Sequence, residues 1–250
     1  MAELDEPVRD LRARIDRAAR VCVLSGAGMS AESGIATFRD ALTGLWSRFD
    51  PAQLARVEGF RADPPLVWDW YAERREGVRT AQPNAGHLAL GEFARRRPGV
   101  LTVVTQNVDD LHQRAGWPQT IRLHGDILAD RWLEACPRGL GCAIAHARPG
   151  EPPACADCGN LLRPGVVWFG EMLPEDAIDA AERAARECDV LLVVGTSGAV
   201  WPAAGLARVA RRAGAKVVIV NPQASEIDGE AHWLLRGTAA EVLPRVLDEG

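Results

Sequence analysis

Leu4, Val8, Leu11, Ile15 and Ala18 recur at helical spacing, which predicts an amphipathic helix at the start of the chain. Val21-Cys22-Val23-Leu24 is then a short apolar run that ends in Ser25-Gly26-Ala27-Gly28, the change from strand to turn that opens a parallel α/β sheet. Leu101 to Thr105, Asp189 to Val194 and Lys216 to Val220 repeat the pattern. Each run is followed by small or polar residues and then a helical stretch. That alternation predicts a Rossmann-like, doubly wound parallel sheet of the α/β class.

Two stretches break it. From Ala41 to about Gln82 the chain is rich in Trp and Arg, with helical periodicity and no strand. From about Asp126 to Pro164 it is rich in Pro, Gly and Cys, with almost no core pattern. The expected organisation is a sheet domain built from residues 1–40, 83–125 and 165–250. The helical insertion 41–82 and the cysteine-rich segment 126–164 would form a smaller module.

Length and composition narrow the classes. With 250 residues and 47% hydrophobic content, the chain can bury one sizeable core beside a minor one. A net charge of -5 with acids and bases interspersed argues against a nucleic-acid scaffold. The longest basic run, Arg95 to Arg97, and the pair Arg211-Arg212 both end apolar-periodic stretches and read as helix C-termini. Residues 1–7 are acidic without an apolar core, and no apolar run is long enough to span a bilayer, so a soluble cytoplasmic protein with no membrane partner is expected. Six cysteines in such a protein point to metal binding or buried thiols rather than disulfides. Lys216 is the single lysine.

Cys136, Cys142, Cys155 and Cys158 lie in the loop-rich stretch, and the second pair has the C-x-x-C spacing that lets two thiolates share one tetrahedral ion. Five residues separate Cys136 from Cys142, with Pro137, Gly139 and Gly141 able to turn the loop back; His146 is the substitute ligand if Cys142 faces away. Four cysteines fill the coordination sphere, so one structural zinc per chain is expected. Cys22 and Cys188, in apolar surroundings, read as ordinary buried thiols.

Gly26-Ala27-Gly28 after a strand resembles the start of a dinucleotide fingerprint, in which small residues let backbone N–H groups approach a pyrophosphate at the next helix N-terminus. Three small residues fit a plain tight turn equally well. Ala31 occupies the third glycine position and Asp50 lies where it could mimic a ribose-binding acid, so a nicotinamide dehydrogenase is one expectation. The fourteen residues from Gly26 to Arg39, GAGMSAESGIATFR, are more specific and resemble the sirtuin motif. The resemblance implies NAD contacts from Gly26, Ala27, Gly28, Ser30, Ser33 and Ile35, with Phe38 covering the nicotinamide ribose, Arg39 meeting phosphate and Trp46 bordering the same site.

Thr105-Gln106-Asn107-Val108-Asp109-Asp110-Leu111-His112 begins at the carboxyl end of a strand, where open α/β sheets bind ligands. By residue type alone it is an Asn/Asp-capped helix start with a partly exposed histidine. This octapeptide also resembles the sirtuin pattern. It implies His112 as general base, Asn107 orienting ribose and water, Gln106 contacting ribose, and Val108 with Asp109 lining the nicotinamide pocket. The chemistry suits the assignment: a neutral imidazole can deprotonate a ribose hydroxyl once the nicotinamide–ribose bond is cleaved. A helix starting near Asp109 would help keep His112 neutral through its dipole.

The same resemblance assigns NAD contacts to Gly195-Thr196-Ser197, to Asn221-Pro222-Gln223 and, through Gly237-Thr238-Ala239, to Ala239. The segment Arg163 to Glu171, and within it Val167, Trp168, Phe169, Gly170 and Glu171, resembles the loop that pairs with an extended substrate peptide carrying an acylated lysine. The implied activity is NAD-dependent protein lysine deacylation, releasing nicotinamide and O-acyl-ADP-ribose. Mono-ADP-ribosyl transfer, a dehydrogenase and a non-catalytic NAD-binding module are the competing readings.

Asp63 or Pro65 suits a helix start, and no proline follows until Pro83. Tyr71 and Arg74 are then an i, i+3 pair on one face. On spacing alone they read as an amphipathic tyrosine beside an exposed arginine. Tyr-x-x-Arg at this place resembles the sirtuin branch that removes succinyl and malonyl groups, and Ala41 suits its roomier acyl pocket. A guanidinium fork with a phenol can bind a carboxylate, so removal of succinyl, malonyl and/or acetyl groups is expected, with a general deacetylase as the alternative.

Overall fold

A computed structural model describes residues 6–36, 50–117, 119–137, 142–144 and 150–248. In chain order, α1 (Glu6–Arg17) leads into β1 (Val21–Ser25), and α2 (Pro51–Leu54), α3 (Val57–Ala62) and α4 (Pro64–Thr80) follow. Next come α5 (Ala85–Arg96), β2 (Leu101–Thr105), α6 (Leu111–Arg114), β3 (Thr120–Arg122), β4 (Gly125–Trp132) and β5 (Leu162–Val166). The chain closes with α7 (Glu175–Glu187), β6 (Val190–Val194), α8 (Gly205–Arg212), β7 (Lys216–Val220), β8 (Trp233–Leu235) and α9 (Ala239–Leu247). Two compact units result: Met1–Thr37 with Ala81–Leu123 and Leu173–Gly250, and Phe38–Thr80 with His124–Met172.

The first unit is built on a six-stranded sheet of order β3-β2-β1-β6-β7-β8, parallel at every pairing. Its central strands are mainly apolar because both faces are covered. Val21, Val23, Leu192, Val194, Val218 and Val220 pack with Leu11, Ile15, Phe93 and Leu243. The alternate residues Cys22, Leu24, Leu191, Val193, Val217 and Ile219 pack with Ala181, Ala185, Leu206 and Ala207. Two helical layers on a parallel sheet are the doubly wound arrangement expected from the sequence. Each buried Val or Leu contributes roughly 1.5–3 kcal/mol relative to an exposed one, which outweighs the modest strand propensities involved. The turn that follows β1 therefore starts from a fixed backbone.

The Arg95–Arg97 run ends α5, as its pattern suggested. Arg96 donates to Leu247 O, and Arg97 donates to Ile15 O and Ala18 O, all at carbonyl-rich helix ends. No helix among the described residues is long and apolar enough to cross a membrane.

In the second unit Asp63 Oδ1 accepts from Leu66 N–H at 3.1 Å at the start of α4, which begins at Pro64. The segment with almost no core pattern contains more order than expected: β4 and β5 pair antiparallel, with a register shift between Gly125 and Asp130. A shifted ladder leaves carbonyls without strand partners. The buried Arg75 of α4 supplies donors there, bonding Ile127 O at 2.6 Å and Ala129 O at 3.1 Å and pairing with Asp130.

Candidate active site

The chain leaves β1 toward β2 on one side, and β6 lies on the other, so the carboxyl ends of β1 and β6 form the switch point where open sheets bind ligands. Gly26 N–H donates to Val194 O at 2.9 Å and Gly28 N–H to Gly195 O at 2.8 Å. A Cβ on Gly26 or Gly28 would stand 2.8 Å from Gly195 O or Gly195 Cα, and Gly195 itself has φ +63°. These glycines let two loops touch. Gln106 Nε2 and Asn221 Nδ2 donate to Thr196 Oγ1 and Thr196 O, both at 3.2 Å, so the ends of β2 and β7 reach the same loop. Ser197, Pro222 and Gln223 are exposed beside it, while Ala239 is buried at the capped start of α9.

Two expectations change here. The turn after Gly26 does not become an α-helix: Ala27–Met29 and Ala31–Ser33 are single 3-10 turns, ended by Gly34 in the left-handed region. Ala27 is exposed in the first of these turns and Ile35 N–H returns to Ser30 O at 3.4 Å, while Val108 is half-buried in the loop after β2. Asp50 does not stand at the end of the strand beside β1, where a dehydrogenase carries its ribose acid: it precedes α2, and β2 ends at Thr105. Phe38, Arg39, Ala41, Trp46 and His146 lie outside the described residues.

His112 is 3% exposed on the one-turn helix α6. Its Nε2 lies 2.9 Å from Ser25 Oγ, which donates to Thr105 Oγ1 at 2.8 Å, and Thr105 Oγ1 also accepts Asn107 N–H at 3.0 Å. Asn107 Nδ2 donates to Ser30 Oγ at 3.1 Å, and Ser30 Oγ donates to Asp109 Oδ2 at 2.9 Å, so the loop after β2 is bonded to the turn after β1. Asp109 also accepts from Leu111 N–H. Burial raises its carboxyl above the usual range despite these bonds. Ser33 Oγ accepts from Asn84 Nδ2 at 3.1 Å.

Burial first, and the Arg122 charge second, lower the His112 pKa to about 4, so the ring is neutral near pH 7. The helix dipole is not needed for this: α6 is four residues long, and desolvation carries the effect. The His87 ring packs edge-on at 5.0 Å between centroids and is likewise lowered, to about 3, by burial, His112 and Arg114.

In the second unit Tyr71 and Arg74 both lie on α4. Tyr71 is 3% exposed and accepts a 2.9 Å hydrogen bond from Trp168 Nε1. The Arg74 guanidinium is half-buried, 4.8 Å from the Trp70 ring. Arg163, 1% exposed, reaches both carboxylate oxygens of Glu171 at 2.6 and 3.0 Å and lies 3.4 Å from the Trp168 ring. Burial works against the Glu171 charge, but bonds from Arg163 and Trp168 N–H hold its pKa below the usual range. This clamp closes residues 163–171 into a loop. Val167, Trp168 and Phe169 already donate their N–H groups to His124 O, Glu171 and Ala55 O, so the donor side expected for strand-like peptide pairing is engaged within the unit. Phe169 and Gly170 are exposed at its tip.

The cysteines converge. Ligand atoms of Cys136, Cys142 and Cys158 all lie within 4.8 Å of one another, with Cys142 Sγ 3.7 Å from Cys158 Sγ. Cys155 interacts with Cys142 and Cys158. Cys142 thus faces the cluster in spite of its wide spacing from Cys136. Soft thiolates meeting in this way fit a tetrahedral zinc. Cys22 and Cys188 are buried thiols whose pKa values burial raises.

Residues 26–202 match the model of the Sir2 family. The chain belongs to the Sir2 family. It is 54% identical over 236 residues, 94% of each chain, to a protein of Ralstonia nicotianae named NAD-dependent protein deacylase. Among solved structures it resembles a Sir2 homologue in complex with NAD, at 42% identity and TM-score 0.85, over 98% of this chain and 93% of that one. It also resembles a Sir2 protein bound to a propionylated peptide, at 29% identity and TM-score 0.78, over 96% of both chains.

Within this sirtuin, Asn84 and His87 are residues that no motif of the sequence singled out, and Ser25 and Arg163 stood there only as a strand end and as the first residue of the segment to Glu171. Ser25 looked like a strand terminus, and only the register with Thr105 brings it to His112. Asn84 does carry a signal, as an Asn placed to cap the helix that begins Ala85-Gly86-His87.

Proposed function

We propose that this sirtuin is an NAD-dependent protein lysine deacylase that favours short dicarboxylic acyl groups, succinyl and malonyl, over acetyl. The observation that carries the reading is a buried, neutral histidine held at the carboxyl end of β1 and β2 beside a small-residue turn. The homology to proteins named deacylases supports the same class.

NAD bound at this turn supplies a C–N glycosidic bond whose cleavage drives acyl transfer. Gly26, Ala27 and Gly28, with Gly195, Thr196 and Asn221, would hold it, and the loop-to-loop close approach leaves backbone where side chains would otherwise project. Asn107 orients ribose and water. His112 takes the proton of a ribose hydroxyl, a role for which a neutral imidazole is required. Asp109 would lie where the nicotinamide amide is received, its carboxyl oxygens accepting from the Ser30 hydroxyl and Leu111 N–H. Tyr71 and Arg74 would read the acyl carboxylate, and residues 167–171 the peptide. Four thiolates would hold one zinc, a closed set that leaves no open position for catalysis. The cytoplasm, where thiols stay reduced, suits such a cluster.

Mass spectrometry of the products from NAD and a panel of acyl-lysine peptides tests this reading. Deacylated peptide, nicotinamide and O-acyl-ADP-ribose are expected, with His112→Tyr losing the deacylated peptide and O-acyl-ADP-ribose. ADP-ribose attached to protein would favour mono-ADP-ribosyl transfer instead.

A further inference from the structure

Inside the loop that Arg163 and Glu171 close, the Trp168 side chain turns inward and is 2% exposed. Its indole is held on several sides. The Arg163 guanidinium lies 3.4 Å from the ring centroid, the Phe60 ring packs at 5.3 Å between centroids, and the Trp168 backbone N–H donates to Glu171 Oε2 at 2.7 Å. Nε1 then meets the Tyr71 hydroxyl at 2.9 Å. An indole nitrogen can only donate, so the direction of this bond is fixed and the phenol oxygen is the acceptor. Burial keeps the phenol protonated against the charges of Arg74 and Arg163. Its own proton points elsewhere, and among the described residues it meets no acceptor. Glu171, whose charge reaches the phenol, already accepts from Arg163, Arg131 and Trp168 N–H.

We propose that Trp168 sets the acyl specificity of Tyr71: its indole N–H occupies the phenol's acceptor side and commits the hydroxyl to donate to the terminal carboxylate of a dicarboxylic acyl group. The inference rests on Tyr71 and Arg74 reading that carboxylate, and it makes Trp168 a positioning residue within the peptide loop. An acetyl methyl offers nothing to a buried donor, and a site built around such a donor discriminates against the group that leaves it unpaired. A phenol whose oxygen already accepts is also a stronger donor, since hydrogen bonds in a chain polarise one another.

Two variants separate the indole's proton from its bulk. Trp168→Phe keeps an aromatic ring against Phe60 and Arg163 and removes the N–H. Trp168→His gives up the larger ring but keeps a five-membered one, whose Nε2–H stands where the indole Nε1–H stood. Each is read, in the full-length protein, as the ratio of kcat/KM for a succinyl-lysine peptide to that for the acetyl-lysine peptide of the same sequence. Any loss common to both substrates divides out. We expect the ratio to fall about three- to tenfold in Trp168→Phe, as for loss of one hydrogen bond, and to stay within about twofold of wild type in Trp168→His. In a Tyr71→Phe background, Trp168→Phe should leave the ratio where Tyr71→Phe alone puts it. A ratio unchanged in Trp168→Phe, or lowered equally in Trp168→His, would overturn the role of the indole N–H, with Tyr71→Phe still lowering the ratio. A further fall in the double variant would overturn it too, because Trp168 would then act other than through Tyr71. A ratio unmoved by Tyr71→Phe would overturn the acyl reading itself, and this inference with it.

Discussion

The indole N–H of Trp168 donates to the Tyr71 hydroxyl oxygen at 2.9 Å, which leaves the phenol its own proton to donate elsewhere. Burial raises the Tyr71 pKa against the opposing charge of Arg74, so the group remains a donor at neutral pH. If this pair reads an acyl carboxylate, Tyr71→Phe and Arg74→Met should each lower kcat/KM for succinyl- and malonyl-lysine peptides by roughly ten- to a hundredfold. Acetyl-lysine turnover should hold or improve. Steady-state kinetics on matched peptides check this, and equal losses on both would make the pair a structural element.

Gly195 presses on the turn after β1. Its φ of +63° is strained for other residues, and a Cβ there would collide with Met29 N and stand 2.8 Å from Gly28 Cα. Gly195→Ala should cost about 1–3 kcal/mol of stability and displace the turn. A lowered thermal midpoint together with a smaller stabilisation by added NAD is the expected result. An unchanged response to NAD would separate this contact from cofactor binding.

Acid should weaken the fold through its two buried histidines. His112 and His87 titrate near 4 and 3 when folded, below the ordinary 6.5, so at pH 7 both are neutral in either state and cost nothing. As pH falls below 6.5 the unfolded chain takes up protons that the folded one refuses, and stability drops by about 1.4 kcal/mol per pH unit for each such histidine. The loss levels off only as each folded group titrates. Denaturant unfolding between pH 7 and 4.5 measures the slope, and His87→Gln should make it shallower.

The thiol cluster should carry one zinc per chain by elemental analysis of protein purified without chelator. Removing the ion, or substituting Cys158→Ser, should destabilise the second unit, since three or more thiolates within 4.8 Å repel without a cation. Limited proteolysis of residues 124–172 after chelation reads this directly. Protein that is equally resistant with and without metal would remove zinc from its folding.

The central strands β1, β2, β6 and β7 were legible from the chain because burial on both faces makes each a mainly apolar run of five residues, broken only by Ser25, Thr102, Thr105 and Lys216. The edge strands β3 and β8 were not: three half-buried residues such as Thr120–Arg122 show no pattern of their own and are strands only because a neighbour supplies the hydrogen bonds. The pairing of β4 with β5 was hidden for a similar reason, since 29 residues lie between Trp132 and Leu162 and the ladder is shifted. For the site, the Gly26 turn and the run from Thr105 to His112 were readable as contiguous motifs, as was the i, i+3 spacing of Tyr71 and Arg74. What the sequence determined alone was the set of chemical groups and the local periodicity that places them at strand ends. Tertiary structure decided which groups meet: Ser25 with His112 across 87 positions, Tyr71 with Trp168 across 97. It also decided that His112 is neutral by burial. Contacts between distant segments, and the solvent they exclude, depend on how the elements pack, and local spacing holds no record of that.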